Sequence, residues 1–131
     1  MNPQILHSQK FTFTDNGTSD PANVSAADFQ NIAIIATGSD TADFSIRVKG
    51  SVQLEVPDFE SPSTIDNSWS YIQLKNDINQ SYLNGDTGYT FGANQTVAFE
   101  LNTSLLTWVA VEVFNYVSGT LEAKFTFKNN I

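Results

Sequence analysis

Cysteine is absent from this chain of 131 residues, and basic side chains are scarce. Without thiols there is neither a disulfide framework nor a thiolate metal site, so stability has to come from packing and sheet hydrogen bonds. Six Lys and Arg stand against fourteen Asp and Glu, a net charge of −8. Phosphate backbones and anionic headgroups need clustered cations, and Lys10, Arg47, Lys49, Lys75, Lys124 and Lys128 form no dense run. Neither nucleic acid nor a membrane is therefore an expected partner, and the charge is read as a solubility device. Long apolar runs are missing at the start, where only Ile5-Leu6 follows Met1-Asn2-Pro3-Gln4 before polar residues return. That pattern contains no signal-peptide core and no membrane span, so synthesis in a cytoplasm is expected.

The scarcity extends to catalytic chemistry. There is one histidine, His7, and its neighbour Ser8 would point to the opposite face of a strand. No nucleophile, base and orienting group can be assembled from the motifs, and no phosphate-cradling glycine loop or histidine-based metal set is present. Paired carboxylates such as Glu100 and Glu112 fall where a strand's solvated face is expected, as chance supplies in an acidic chain. An enzyme is not expected, and no cofactor is implied. Asp15-Asn16-Gly17-Thr18-Ser19-Asp20 gathers oxygen ligands suited to calcium, with Asp15 and Asp20 as the carboxylates, but the same residue types make ordinary turns. The turn is the preferred reading. Five Asn-X-Ser/Thr sequons reflect, in the absence of a secretion signal, a chain rich in Asn, Ser and Thr.

What the chain does have is aromatic side chains, ten of them Phe, and apolar residues that recur with period two. Phe11 and Phe13 alternate with Thr12 and Thr14, and Asp15-Asn16-Gly17 ends that strand with Gly17 free to take positive φ. Phe29 to Thr37 contains a continuous apolar run, Ile32 to Ala36, which reads as a strand buried on both faces or a short helix, its length and β-branching favouring the strand. Phe44, Ile46 and Val48 point one way and Ser45, Arg47 and Lys49 the other, a parity that continues through Gly50 to Val52, Leu54 and Val56. Asp58 to Ser68 is a long irregular stretch in which Phe59 needs a seat or is a contact residue. Trp69 to Leu74, Tyr89 to Phe91 and Val97 to Leu101 add short strands. No amphipathic helix appears. Seven to nine short strands at intervals of about ten residues predict an all-β, antiparallel sandwich or jelly roll, a single domain over 1–131 with an N-terminal arm at 1–9.

The last quarter reads as a β-hairpin, Leu106 to Val117 against Thr120 to Lys128. A three-residue loop with Gly119 left-handed would set Val117 opposite Leu121, Val113 opposite Phe125 and Val111 opposite Phe127. The other face would then carry Trp108, Phe114 and Tyr116 beside Glu112, Glu122 and Lys124, with Trp69 and Tyr71 extending the patch or forming a second one. Rings displayed together would suit sugars, by stacking, or a protein partner, by burial. Ordinary packing under a covering loop is the competing reading for Trp108 and Phe114.

The mid-chain segment ATGSDTADFSIRVKGSV and the closing Trp-Val-Ala-Val-Glu-Val and Ser-Gly-Thr-Leu-Glu-Ala-Lys-Phe runs resemble small β-sandwich virion proteins of tailed bacteriophages. Capsid decoration proteins and related head or tail accessory subunits are the nearest in texture. The resemblance covers most of Phe29 to Lys128 and is one of pattern, so it transfers no functional residue. It implies a structural role in the virion, with the major capsid protein or other virion proteins as partners. For a shell-binding subunit, local threefold axes would suggest a trimer, an expectation from symmetry alone. A carbohydrate-binding or receptor-binding module using Trp108, Phe114, Tyr116, Trp69, Tyr71 and Phe59 is the alternative.

Overall fold

The computed structural model describes residues 4–24, 31–76, 79–102 and 105–129. Its strands are β1 (Gln4–Phe13), β2 (Gly17–Thr18), β3 (Ala22–Asn23), β4 (Asn31–Gly38), β5 (Asp43–Ser51), β6 (Ser70–Tyr71), β7 (Leu74–Asn76), β8 (Ser81–Leu83), β9 (Tyr89–Phe91), β10 (Thr96–Asn102), β11 (Trp108–Ser118) and β12 (Leu121–Asn129). One sheet runs β1-β12-β4-β10-β7-β8, and the other runs β2-β11-β5-β6 with β3 on β11 and β9 on β5. Every strand pair is antiparallel, and no helix occurs among the described residues. The expected all-β sandwich is therefore correct, though twelve strands are described rather than seven to nine. Residues 4–9, expected in an arm, form the first half of β1 against β12. The side chain of His7 lies outside the described residues, as do Phe29 and Met1 to Pro3.

Period-two alternation sets the core. Ile32, Ile34 and Ala36 of β4, Phe44, Ile46 and Val48 of β5, Val97, Phe99 and Leu101 of β10, and Val109, Val111 and Val113 of β11 are buried in one cluster with Leu121 and Phe125 of β12. Burial of this order, at roughly 25 cal/mol per Å² of apolar surface, is the main term that offsets chain entropy in a fold without staples. β4 is buried on one face only: Ile35 points outward and is 41% exposed. Its neighbours β10 and β12 cover its edges.

The predicted terminal hairpin does not form. β11 lies in one sheet against β5, and β12 lies in the other against β1 and β4. The chain crosses between the sheets at Ser118-Gly119-Thr120, alongside a second crossing, residues 39–42, that links β4 to β5. The two crossings satisfy each other's polar groups: Ser39 N donates to Thr120 O at 3.0 Å, Thr120 N to Ser39 Oγ at 3.0 Å and Ser118 Oγ to Thr41 O at 2.6 Å. Gly119 is left-handed as expected, with φ of +95°. Val111, Val113, Leu121 and Phe125 do all face inward, but across the sandwich rather than side by side.

Three further local readings change. Asn115 takes positive φ, +52°, inside β11, and the β5 register shifts between Phe114 and Ser118. Between those pairs β11 advances four residues against two of β5, and within this irregular stretch Tyr116 turns in and Val117 turns out, 70% exposed. Gly17 does not take positive φ; Asp15 Oδ1 instead accepts from Asn16 N at 2.7 Å, and Asn16 Oδ1 from Tyr116 N at 3.0 Å. Gly50 makes no bulge, because it stays in register with Val109 and Ser70; a Cβ there would lie 2.7 Å from Ile72.

Candidate functional site

Outward side chains of β5 and β11 meet over the second sheet. Arg47 stands directly opposite Glu112 in the ladder, and its Nε donates to Glu112 Oε1. Lys49 Nζ approaches Glu112 Oε2 at 3.2 Å and donates to the Phe59 carbonyl at 2.6 Å and to Thr18 Oγ1 at 3.3 Å. The aromatic residues singled out in the sequence surround these cations. The Arg47 guanidinium lies 4.1 Å from the centroids of both the Tyr71 and Phe114 rings, and Lys49 Nζ lies 4.8 Å from that of Trp69. Cation–π contacts of this kind suit partly desolvated positions. Burial, and then the Glu112 carboxylate, push the Tyr71 phenol above its ordinary range, so it stays protonated and donates to Glu112 at 3.4 Å.

The segment from Val52 to Trp69 closes over this layer as a strap. Phe59 is buried under it, edge-on to Trp69 at 6.3 Å, so it is a seat rather than a contact residue. Trp69 is held by its indole N–H to Ser61 O at 2.9 Å and packs edge-on against Tyr71 at 5.3 Å. The strap is ordered by its own polar groups: Asn67 bonds Asp58 in both directions, at 2.7 and 2.9 Å, and Ser63 bonds Trp69 likewise, at 2.6 and 3.0 Å. Tyr116 leaves the outer face altogether. Its ring stacks on Phe44 at 6.2 Å and its hydroxyl donates to Gly119 O at 2.7 Å. Glu122 and Lys124 belong to the outer face of the other sheet. The structure thus brings Trp69, Tyr71, Phe114 and Phe59 together, separates Tyr116 and Trp108 from them, and fills the ring faces with the chain's own cations.

Asp58 shows how the strap responds to acid. Ser61 Oγ at 2.8 Å and Glu60 N at 3.1 Å both donate to its carboxylate and hold its pKa below the ordinary 3.8. A pKa depressed by folding contributes stability above the unfolded value and loses it as pH falls through the folded value. Asp58→Asn is therefore expected to flatten the fall of the melting temperature below about pH 4, read by calorimetry across an acid series.

A different surface is left open at the end of the sandwich where β5 stops and β11 starts. Trp108 pairs with Ser51, the last residue of β5, so beyond Ser51 there is no β11 backbone to pair with. Val52, Leu54 and Val56, predicted as a continued strand, consequently leave the sheet with their side chains in solvent. Leu54 is 88% exposed, its carbonyl accepting from the Trp108 indole N–H at 3.3 Å. Leu105, 83% exposed, lies two residues before Thr107, whose N donates to Ser51 O, and Ile65, 92% exposed, lies in the strap, whose Ser68 N donates to Gln53 Oε1. Residues 52–68 hold Glu55, Asp58, Glu60 and Asp66 and no basic residue. The result is an apolar end with an acidic rim. The signal for it was present as apolar residues beside Pro57, but alternation alone reads as strand.

Asp20, one of the two calcium-ligand candidates, lines an open cleft of about 170 Å³ with Thr18, Pro21, Asp58, Phe59 and Glu60. Asp15 uses its carboxylate to cap Asn16 N, and among the described residues no three His, Cys, Asp or Glu converge as a metal site would require.

No family model and no curated protein matches this chain. Among solved structures, the crystal structure of SPBc2 prophage-derived protein YomS resembles it with a TM-score of 0.59, over 95% of this chain and 97% of that one, at 12% sequence identity. At that identity the likeness is one of fold.

Proposed function

We propose that this chain is a bacteriophage structural protein, a virion accessory subunit of the capsid-decoration kind, which attaches to an assembled shell through the acid-rimmed apolar end. The observation that carries the reading is the exposure of Val52, Leu54 and Val56 where the chain leaves β5, with Leu105 exposed just before β11, on a sandwich whose outer aromatic layer is closed by its own strap. Soluble domains seldom expose contiguous apolar surface without a partner for it. A fold shared across nearly the whole length with a prophage-derived protein supports the phage setting. A sandwich free of cysteine assembles without an oxidising compartment, which suits synthesis in a bacterial cytoplasm and residence in the virion. The partner is the major capsid protein or another virion protein, whose contact surface would be apolar at its centre and basic at its rim.

Co-sedimentation with shells lacking the subunit tests this. Wild-type protein is expected to pellet with the shells, and Leu54→Asp to lose most of that binding with an unchanged melting temperature. Equal pelleting of the two would remove the apolar end from the attachment surface. The glycan reading keeps a single ring, Trp108, because Tyr71 and Phe114 already hold Arg47 between them.

A further inference from the structure

Four strand edges bound the two sheets, and the chain treats one of them differently. β8 ends the first sheet with three residues, and the second is edged by β2 and β3 beside β11 and by β6 and β9 beside β5, two or three residues each. Edges that short offer little backbone to a passing strand, which is how natural sheets avoid unwanted pairing. β1 ends the first sheet with ten residues, Gln4 to Phe13. It contains no proline, Lys10 is its one charged residue apart from the titratable His7, and its register irregularity sits near the start, between Ile5 and His7. One side of it pairs with β12, and among the described strands none pairs with the other side. Phe11 and Phe13, on its inner face, remain half-buried although Phe11 packs edge-on against Phe125 at 5.2 Å. A strand laid alongside would bond the unpaired backbone groups and finish covering both rings.

We infer that this edge pairs with β1 of a second copy, antiparallel, about a two-fold axis. An antiparallel pair is two-fold symmetric by construction, so one edge serves as its own partner and the contact closes at two subunits. The register follows from charge and length. A two-fold at Lys10 would set like charges directly opposite, which destabilises a sheet pair, and one at Phe11 would engage only Gln9 to Phe13. A two-fold at Gln9 pairs Lys10 with Ser8 and Phe11 with His7, and brings Thr12 and Phe13 alongside the irregular start of the strand. A strand pair of this length buries less than the roughly 1,600 Å² of a standard interface, so the dimer dissociates on dilution. The inference does not depend on the shell reading, because edge and apolar end are separate surfaces.

Sedimentation equilibrium of the full chain over a wide concentration range provides the test. Wild-type protein is expected to show a monomer–dimer equilibrium. Ser8→Lys, which opposes Lys10 twice across the axis, is expected to weaken it about tenfold. Adding Lys10→Glu to that variant is expected to restore it. Gln9→Cys, in a chain with no other thiol, is expected to yield a disulfide-linked dimer under mild oxidation, since opposed antiparallel residues lie within disulfide reach. A monomer at every concentration, or a dimer indifferent to Ser8→Lys and uncrosslinked by Gln9→Cys, would overturn the inference.

Discussion

Glu112→Ala is expected to remove about 3–5 kcal/mol of unfolding free energy, a large fraction of the ~5–15 kcal/mol of an ordinary domain. The carboxylate is the single anion among two cations: it accepts from Arg47 Nε, faces Lys49 Nζ at 3.2 Å and accepts from the Tyr71 hydroxyl at 3.4 Å. The Lys49 side chain is only 4% exposed, so water cannot replace the lost partner. Removing Glu112 leaves two like charges under the strap. Lys49→Met should behave differently, because it leaves the Arg47–Glu112 pair intact and neutral. Its cost is about 1–3 kcal/mol, chiefly for the Phe59 carbonyl, which loses the donor at 2.6 Å. Urea denaturation of the two variants separates the effects, with Trp69 fluorescence in a Trp108→Phe background as a reporter of the strap. A Lys49→Met loss as large as that of Glu112→Ala would mean that anchoring the strap outweighs charge balance. The exposed Lys10–Glu122 pair, at 3.9 Å, is the contrast, and breaking it should cost well under ~1 kcal/mol.

This cluster also marks where sequence reasoning stops. That Arg47 and Lys49 share a face with each other, and Glu112 with Phe114, follows from period two. That the two faces are one face follows only once β5 is known to pair with β11. The same limit explains the rings. Their parity was legible for Trp108, Phe114, Trp69 and Tyr71, whereas the cover over them depends on how Asp58 and Asn67 fold the strap. Phe44, Ile46 and Val48 were readable as core because a strand with one buried face has no other pattern available. Val52, Leu54 and Val56 carry the same alternation and are not core, because their would-be partner strand begins opposite Ser51. Tyr116 was misplaced for a third reason: the register irregularity around the left-handed Asn115 turns Tyr116 inward, and asparagine is common enough at ordinary positions to give no warning.

Gly119→Ala is expected to cost about 3 kcal/mol, more than a glycine in a simple hairpin turn would. Positive φ alone penalises a Cβ by about 1–2 kcal/mol. At Gly119 the added atom would also lie 2.6 Å from Ala42 Cα and 2.8 Å from Ala42 N, backbone atoms of the neighbouring crossing. Neither can yield without disturbing the bonds that join Ser39 to Thr120 and Ser118 to Thr41. Gly17→Ala is the matched control, since the sequence marks both glycines as left-handed turns. Gly17 has no positive φ, and its nearest foreign atom to an added Cβ is 3.9 Å away, so alanine there should be neutral or stabilise by ~0.4–1 kcal/mol through the unfolded chain. Melting temperatures of the two variants should therefore move in opposite senses, or one should fall while the other holds. A Gly119→Ala loss of only about 1 kcal/mol would mean that the strain of φ acts alone and the two crossings are not packed on each other. The loss at Gly119 thus measures the feature that divides β11 from β12 into separate sheets, which a hairpin of the same sequence would lack.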